Sequence, residues 1–289
     1  MSENFLRKYK LTILGTDGRG VVIQDQHIEF NVTLNSGSKL NELDCKIFNL
    51  SAETIAVFDK IDSIVTLEVG FGDNPLAVCF KGNKIFCSTQ RDGTNLVTNL
   101  LASDGAVVVR EGRVQIAVPE KSSVESIIRE IIKKGMKEIR TVNISKDYPT
   151  LKKTYNRGYS ASGGAKEQLD AICEANNLKW HIIQGTTINV YPINGDIGRK
   201  AYVISPTMIK DTPEKTSEEV RKLKNDLSVP RKLGLNLTLQ MNPLITAGSV
   251  IQLQGTFNAD GNYVIDKVSH DGSYEGEAWD TKIECTVYA

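Results

Sequence analysis

The period of the apolar residues changes twice along this chain, and that change constrains the fold more than any other feature. In residues 28–34 apolar and polar side chains alternate, which is the period of a half-buried β-strand. After Pro119 the period becomes helical, and the alternation returns at residues 235–239. The sequence therefore predicts a mainly β protein with an α+β insertion.

The helical part begins with the clearest helix signal of the chain. Ser122 and Glu125 have the spacing of a capping box, in which a hydroxyl and a carboxylate bind N–H groups at the helix start. Gly135 is a natural helix end. Between them, these side chains fall on one helical face: Val124, Ile127, Ile128, Ile131 and Ile132. A second predicted helix, near residues 165–177, leads into a hairpin, so this part should be a compact α+β unit.

Shorter signals predict further elements. Ser51 is suited to cap a short helix. The Lys-Gly-Asn run at residues 81–83 separates two apolar triplets and predicts a tight hairpin. His270 precedes Asp-Gly and is expected at the end of a strand, before a turn. Residues 206–232 are highly charged with few apolar side chains, which predicts an exposed loop with one short helix at most.

These segments divide the chain into four parts. Residues 1–118 are predicted to form a first β-barrel tube-like domain, and residues 119–204 an α+β helix-hairpin module. Residues 205–232 are a predicted charged linker loop. Residues 233–289 supply the strands that complete a second barrel-like domain, so two barrel-like tube domains flank the module.

The charge balance narrows the classes of partner. The 289 residues contain 35 Lys+Arg and 35 Asp+Glu, so no cationic excess is present to bind nucleic acid through bulk charge. No apolar run approaches the ~20 residues of a membrane span, and the first residues lack the apolar stretch of a secretory signal. Five cysteines without paired spacing indicate reduced thiols in a protein that folds in the cytosol.

The motifs that carry catalytic chemistry are not evident in the sequence. Residues 15–20 (Gly-Thr-Asp-Gly-Arg-Gly) resemble a phosphate-binding loop only superficially, because the Lys and Ser/Thr of such a loop are missing, and a simple turn is favoured. His27, His181 and His270 have no metal-ligand spacing. His181 is expected on the strand face opposite Trp180. We nominate no catalytic, cofactor-binding or metal-binding residue, and we expect no cofactor.

Two charged groups of residues leave functional alternatives open. Glu275, Glu277 and Asp280 flank Trp279, and paired acids of this kind serve glycosidases, although a solvated strand face with a packed Trp is favoured. The segment 121–157 holds ten Lys/Arg against four acids. This excess fits either a solvated surface or contact with an acidic partner, for which a protein is favoured over nucleic acid.

Several short motifs are weak signals of a family one by one, but their order and spacing along the chain are specific when taken together. They include residues 67–71 (Leu-Glu-Val-Gly-Phe), 80–85 (Phe-Lys-Gly-Asn-Lys-Ile), 159–164 (Tyr-Ser-Ala-Ser-Gly-Gly), 239–243 (Leu-Gln-Met-Asn-Pro) and 261–265 (Gly-Asn-Tyr-Val-Ile). Together they resemble the baseplate hub proteins of contractile-tailed phages, the late control or tail hub family. The resemblance covers the chain from about residue 65 onward well and the first 60 residues more loosely. The long charged segment 217–232 departs from it.

The resemblance implies a structural, non-enzymatic virion component that forms a homotrimeric ring with a central channel. Two tube-like domains in each chain would give three chains a pseudo-sixfold ring, which adapts a sixfold tail tube to a threefold central spike. The implied partners are the spike, the tail tube, the baseplate wedge proteins and the end of the tape measure, with no membrane integration and no sequence-specific nucleic acid. The implied location is the phage tail baseplate of the virion, assembled in the host cytoplasm.

Two alternatives remain open at this point. The chain could be a hub-like component of a bacterial contractile injection or type VI secretion apparatus, because the fold would be shared. It could also be a tail-associated cell-wall hydrolase, in which case Glu275 and Glu277 are the acids to test.

Overall fold

The computed structural model describes residues 6–15, 17–58, 63–145, 148–193, 195–198, 201–219, 231–256 and 259–288. The first β segment contains strands β1 (Arg7–Leu14), β2 (Gly20–Ile23), β3 (Ile28–Asn35), β4 (Glu42–Phe48), β5 (Ile64–Phe71), β6 (Ala77–Asp92) and β7 (Asn95–Ser103). Helix α1 (Ala52–Phe58) lies between β4 and β5, where Ser51 was expected to cap it, and the Ser51 hydroxyl accepts from the Thr54 N–H at 3.2 Å.

The middle of the chain forms the α+β module. Its elements are α2 (Ala106–Glu111), β8 (Arg113–Val118), β9 (Ser122–Ser123), α3 (Val124–Gly135), β10 (Thr141–Ile144), β11 (Thr154–Tyr155), β12 (Tyr159–Gly164), α4 (Ala165–Glu174), β13 (Leu178–Ile183) and β14 (Thr187–Pro192). The last β segment contains β15 (Tyr202–Ile204), β16 (Glu214–Glu219), β17 (Arg231–Gln240), β18 (Val250–Leu253), β19 (Gly261–Ser273) and β20 (Trp279–Val287). The fold is mainly β with an α+β insertion, as the periodicity predicted.

One thirteen-stranded sheet joins the first and last β segments. Its main path runs β16-β17-β20-β19-β3-β4-β7-β6-β5-β1-β2, and β15 and β18 branch from β19. The junction is the antiparallel pair β3–β19, in register from Asn35–Lys267 to Glu29–Ser273. Val32 and Val268 are fully buried in a core to which both segments contribute. The two β segments are therefore one hydrogen-bonded unit, and the paths of the described strands end at β2, β15 and β16.

The α+β module has its own core around α3. Its apolar face is buried against α4 and the hairpin β13–β14, as predicted from the spacing of the isoleucines. The helix cap differs by one residue, because the Ser123 hydroxyl accepts from the Ser126 N–H at 3.2 Å, whereas Ser122 donates to the Pro119 carbonyl. Strand β8 pairs with β12 and packs in this core, although the sequence placed residues 113–118 in the first domain.

Two local predictions were wrong. Residues 81–83 do not turn, because β6 continues through them with β5 on one side and β7 on the other. A Cβ at Gly82 would stand 2.6 Å from the Ser103 carbonyl oxygen, so this glycine permits close strand contact rather than a hairpin. His270 lies within β19, with its strand continuing to Ser273.

The segment predicted as a charged linker loop also differs from the expectation. Residues Glu214–Glu219 form strand β16, which pairs antiparallel with the start of β17. Charged side chains are tolerated there because β16 is at the edge of the sheet, where natural proteins place charges to prevent edge-to-edge association. Residues 220–230 of the same segment lie outside the described residues. None of the described helices is long and apolar enough to cross a membrane.

Candidate interaction surfaces

The residues considered as catalytic or phosphate-binding candidates have structural roles. Residues 15–20 join β1 to β2, with the Gly18 N–H donating to the Gly15 carbonyl at 3.0 Å and Gly18 at φ +79°, as expected of a turn. His270 is fully buried beside Thr281, and burial lowers its pKa to about 4. No group of three or more His, Cys, Asp or Glu side chains with metal-binding geometry occurs among the described residues.

Two of the predicted acids beside Trp279, Glu275 and Glu277, lie with Glu29 at one end of β3. We name Glu29, Glu275 and Glu277 the acidic tip. Ser273 pairs with Glu29 in the sheet, and His27 lies between two of the acids, with its Nε2 3.8 Å from Glu29 and its Nδ1 3.6 Å from Glu275. The side chain of Glu275 is 68% exposed, so the tip faces solvent.

Arg7 holds the backbone of the acidic tip in place. Its guanidinium donates to the carbonyls of Ser273, Gly276 and Glu277 and lies 5.6 Å from the ring centre of the buried Trp279. Because the guanidinium hydrogen-bonds are made to carbonyl oxygens, they order the turn without engaging the Glu277 carboxylate. Asp280 lies apart from the tip, on the sheet face, where it pairs with Lys210.

The outward face of the joined sheet is polar and its charges are paired across strands. Lys282 contacts Asp271 at 2.9 Å and Lys267 contacts Glu284 at 2.9 Å, both between β19 and β20. Asn31 of β3 donates to Ser269 of β19 at 2.8 Å, which extends the polar contacts over the junction of the two β segments. This face is thus a continuous polar surface to which both segments contribute.

An exposed apolar group interrupts this polar surface at β6 and β7. The pairing of the two strands shifts between Lys84 and Phe86, and a bulge of this kind turns two successive side chains outward. Ile85 is 60% exposed and Phe86 is 51% exposed, and Leu101 lies directly opposite Phe86. Exposed apolar groups beside polar surroundings mark protein–protein contacts.

A cleft of about 850 Å³ adjoins this apolar group. Ile85 and Phe86 form part of its wall, and the loop after β3 and helix α2 complete it. The charged residues that line it are Lys39, Lys84, Arg110, Lys166 and one acid, Glu42. We name this site the cationic cleft.

Asp104 connects the first β segment to the α+β module. Its carboxylate accepts from the Asn41 side chain at 3.1 Å and from the backbone N–H groups of Gln184 and Gly185, the former at 2.7 Å, in the β13–β14 turn. Asn41 also donates to the Ile182 carbonyl at 3.0 Å. Burial raises the pKa of Asp104 to about 6, although these hydrogen bonds act in the opposite direction.

A second polar contact joins the module to the same C-terminal end of β3. His181 points away from Trp180, as expected, and its Nδ1 lies 3.0 Å from the Tyr191 hydroxyl, which donates to the Ser36 carbonyl at 2.6 Å. Lys179 lies 3.6 Å from Asp266 of β19. The module therefore contacts both β segments, and its position on the sheet is fixed by buried polar groups.

The basic segment 121–157 forms an exposed surface of the module. Nine of its ten Lys/Arg lie among the described residues, and all nine are exposed: Lys121, Arg129, Lys133, Lys134, Lys137, Arg140, Lys152, Lys153 and Arg157. Arg129 and Lys134 pair with Glu125 and Glu130 on α3, each at 2.8 Å. Two of the nine cations are thus balanced by acids of the same helix.

Solved structures share this fold almost from end to end. The crystal structure of a tail protein from Neisseria meningitidis matches with a TM-score of 0.65 at 10% identity, over 97% of this chain and 98% of that chain. A 43 kDa tail protein of a Shewanella oneidensis prophage matches with a TM-score of 0.63 at 8% identity, over 96% and 98%. This chain has the fold of phage tail proteins.

The same fold occurs in a secretion apparatus. An Escherichia coli component of the type VI secretion system matches with a TM-score of 0.63 at 11% identity, over 97% of this chain and 77% of that one. No protein family model and no curated protein sequence matches the chain. The likeness is therefore one of fold, at sequence identities too low to carry function by themselves.

Proposed function

We propose that this chain is a structural protein of a contractile phage tail and acts as the central hub of the baseplate. The observation that carries the proposal is the match of fold to tail proteins over 98% of their own length. In this proposal three copies form a ring that joins the sixfold tail tube to the threefold spike, contacts the wedge proteins and the tape-measure end, and resides in the virion.

The joined sheet supports a ring of this kind. The β segments before and after the α+β module are connected through β3 and β19, so each chain contributes two β segments to one continuous surface. Three chains then supply six such segments, which relieves the mismatch between threefold and sixfold neighbours. We place the part of the polar face formed by β19 and β20, with the Lys282–Asp271 and Lys267–Glu284 pairs, toward the channel and the α+β module outside the ring.

Solution mass and imaging test this proposal directly. Light scattering on the purified chain should give a mass near three times 31.9 kDa, and negative-stain images should show a ring with a central hole. Co-expression with the proteins encoded beside it should place the ring between tube and spike. Purified tails that lack the chain, or a chain that stays monomeric with all these proteins present, would refute the hub assignment.

A role in a type VI or contractile injection apparatus is the second candidate. It is favoured by the match of fold to the E. coli secretion component and to a chain of the Francisella PdpA–VgrG complex. This chain covers 59% of the length of that Francisella chain. Mass spectrometry of purified particles from the source strain separates the two, because it identifies either phage tail proteins or secretion proteins around the chain.

We also propose that the chain is not a hydrolase. Glu275 and Glu277 lie on an exposed turn, whereas a glycosidase holds its two carboxyl groups on either side of a bound sugar. A cell-wall zymogram of the wild-type chain should show no lysis. Lysis that disappears in Glu275→Gln or Glu277→Gln would contradict this.

A further inference from the structure

The acidic tip and the cationic cleft stand at opposite ends of one strand. The tip surrounds the start of β3 near Glu29, and the cleft begins in the loop that follows Asn35, at Lys39. Eight residues of strand at about 3.4 Å each separate the two by roughly 25 Å. Within one chain the two surfaces therefore cannot contact each other.

The charge of the two surfaces is opposite. The tip contains three glutamates, with Lys46 opposite Glu29 across the sheet and the Arg7 guanidinium directed at backbone carbonyls. The cleft is lined by four cations and one acid. Arg110 and Lys166 also contact Glu111 and Asp170 outside the lining, at 3.0 and 2.6 Å, and Lys84 donates to the Phe58 carbonyl, while Lys39 extends into solvent.

The cleft also has an apolar wall that a solvated monomer leaves uncovered. Ile85 and Phe86 are more than half exposed because of the bulge in β6. The end of the acidic tip is narrow, because Gly276, which has no side chain, lies between Glu275 and Glu277. A bound turn would cover the apolar wall with backbone and place its carboxylates at the cationic rim, and burial of the apolar wall strengthens the charge contacts.

We infer that the acidic tip of one copy binds the cationic cleft of a second copy of this chain. The contact is heterologous, since each copy presents the tip on one side and the cleft on the other, and such contacts close into rings when the rotation between copies permits. The inference rests on the proposed hub function, for which it supplies the contact between subunits. The chain is electrically neutral as a whole, so copies can associate without net repulsion.

Charge reversal tests the contact. The pair Glu275→Lys and Glu277→Lys, or the pair Lys39→Glu and Arg110→Glu, should weaken association at least tenfold by analytical ultracentrifugation, and the four changes combined in one chain should restore it. Lys133→Glu and Lys137→Glu, on the exposed side of the module, are the matched control and should leave association unchanged. Association that survives both reversals, or that the combined chain fails to recover, overturns the inference.

Cross-linking distinguishes this contact from the hub proposal itself. In a Cys87→Ser background, which removes the native thiol of the cleft, a chain with Lys39→Cys and Glu277→Cys treated with a short bismaleimide should yield covalent dimers and trimers, whereas Lys121→Cys with Glu277→Cys in the same background should not. Rings or purified tails that contain the chain but give no cross-link refute the tip–cleft contact and leave the hub function intact. A chain absent from purified tails refutes the hub function. A cross-link from the cleft to another tail protein instead of a second copy also overturns the inference.

Discussion

Asp104 makes the stability of the chain depend on pH in a direction opposite to that of most carboxylates. In the folded chain its pKa is about 6 because burial disfavours the charged form, whereas an exposed aspartate has 3.8. The folded state therefore binds the proton more tightly than the unfolded state. It follows that the free energy of unfolding falls as the pH rises through about 6.

The size of the effect follows from the two pKa values. Their difference corresponds to about 3 kcal/mol in total, at ~1.36 kcal/mol per pKa unit. Between about pH 8 and pH 5 the contribution of Asp104 amounts to roughly 1.4 kcal/mol, with the folded state more stable at the lower pH. Asp104→Asn removes this titration and keeps one of the two oxygens that accept from the Gln184 and Gly185 N–H groups, so the loss of the other acceptor is independent of pH.

Urea unfolding of both proteins at a series of pH values measures the effect. The free energy of unfolding of the wild type minus that of Asp104→Asn should rise by roughly 1.4 kcal/mol from about pH 8 to pH 5, because all other groups cancel in the difference. A flat difference for Asp104→Asn would refute the assignment of a buried, proton-binding carboxylate at this junction.

Three further experiments test the strand contact, the helix cap and the burial of the cysteines. Gly82→Ala places a Cβ 2.6 Å from the Ser103 carbonyl oxygen and should lower the free energy of unfolding in urea by about 1–3 kcal/mol. Gly37→Ala is the control, because its Cβ would have no neighbour within 4 Å, and it should not destabilise the chain. Equal effects of the two changes would contradict the close strand contact. Ser123→Ala should lower the free energy of unfolding by about 1 kcal/mol, because it removes the cap of α3, and Ser122→Ala should lower it by less. A larger loss of stability for Ser122→Ala than for Ser123→Ala would instead support Ser122 as the cap. Of the five cysteines, only the half-buried Cys87 should react with a thiol reagent in the native chain. The other four are buried: Cys45, Cys79, Cys173 and Cys285. Rapid reaction of two or more cysteines would refute this prediction.

The sequence alone determined those elements whose signal is local. The isoleucine spacing of α3 and the strict alternation of β3 each specify an element and the face it buries, because both periods are read from neighbouring residues. The mainly β character and the α+β insertion follow in the same way. The exposed basic surface of the module was also visible as a local excess of Lys and Arg.

Only the tertiary structure decided which distant residues meet. The pairing of β3 with β19 joins residues more than 230 positions apart, and no local period encodes that partner or its register. The same holds for Gly82, whose sequence context reads as a turn but whose two neighbouring strands require a residue without a side chain. The acidic tip, the cationic cleft and the Asp104 contact each combine segments far apart in the chain, so they exist only once burial of the shared apolar core has fixed the strand order.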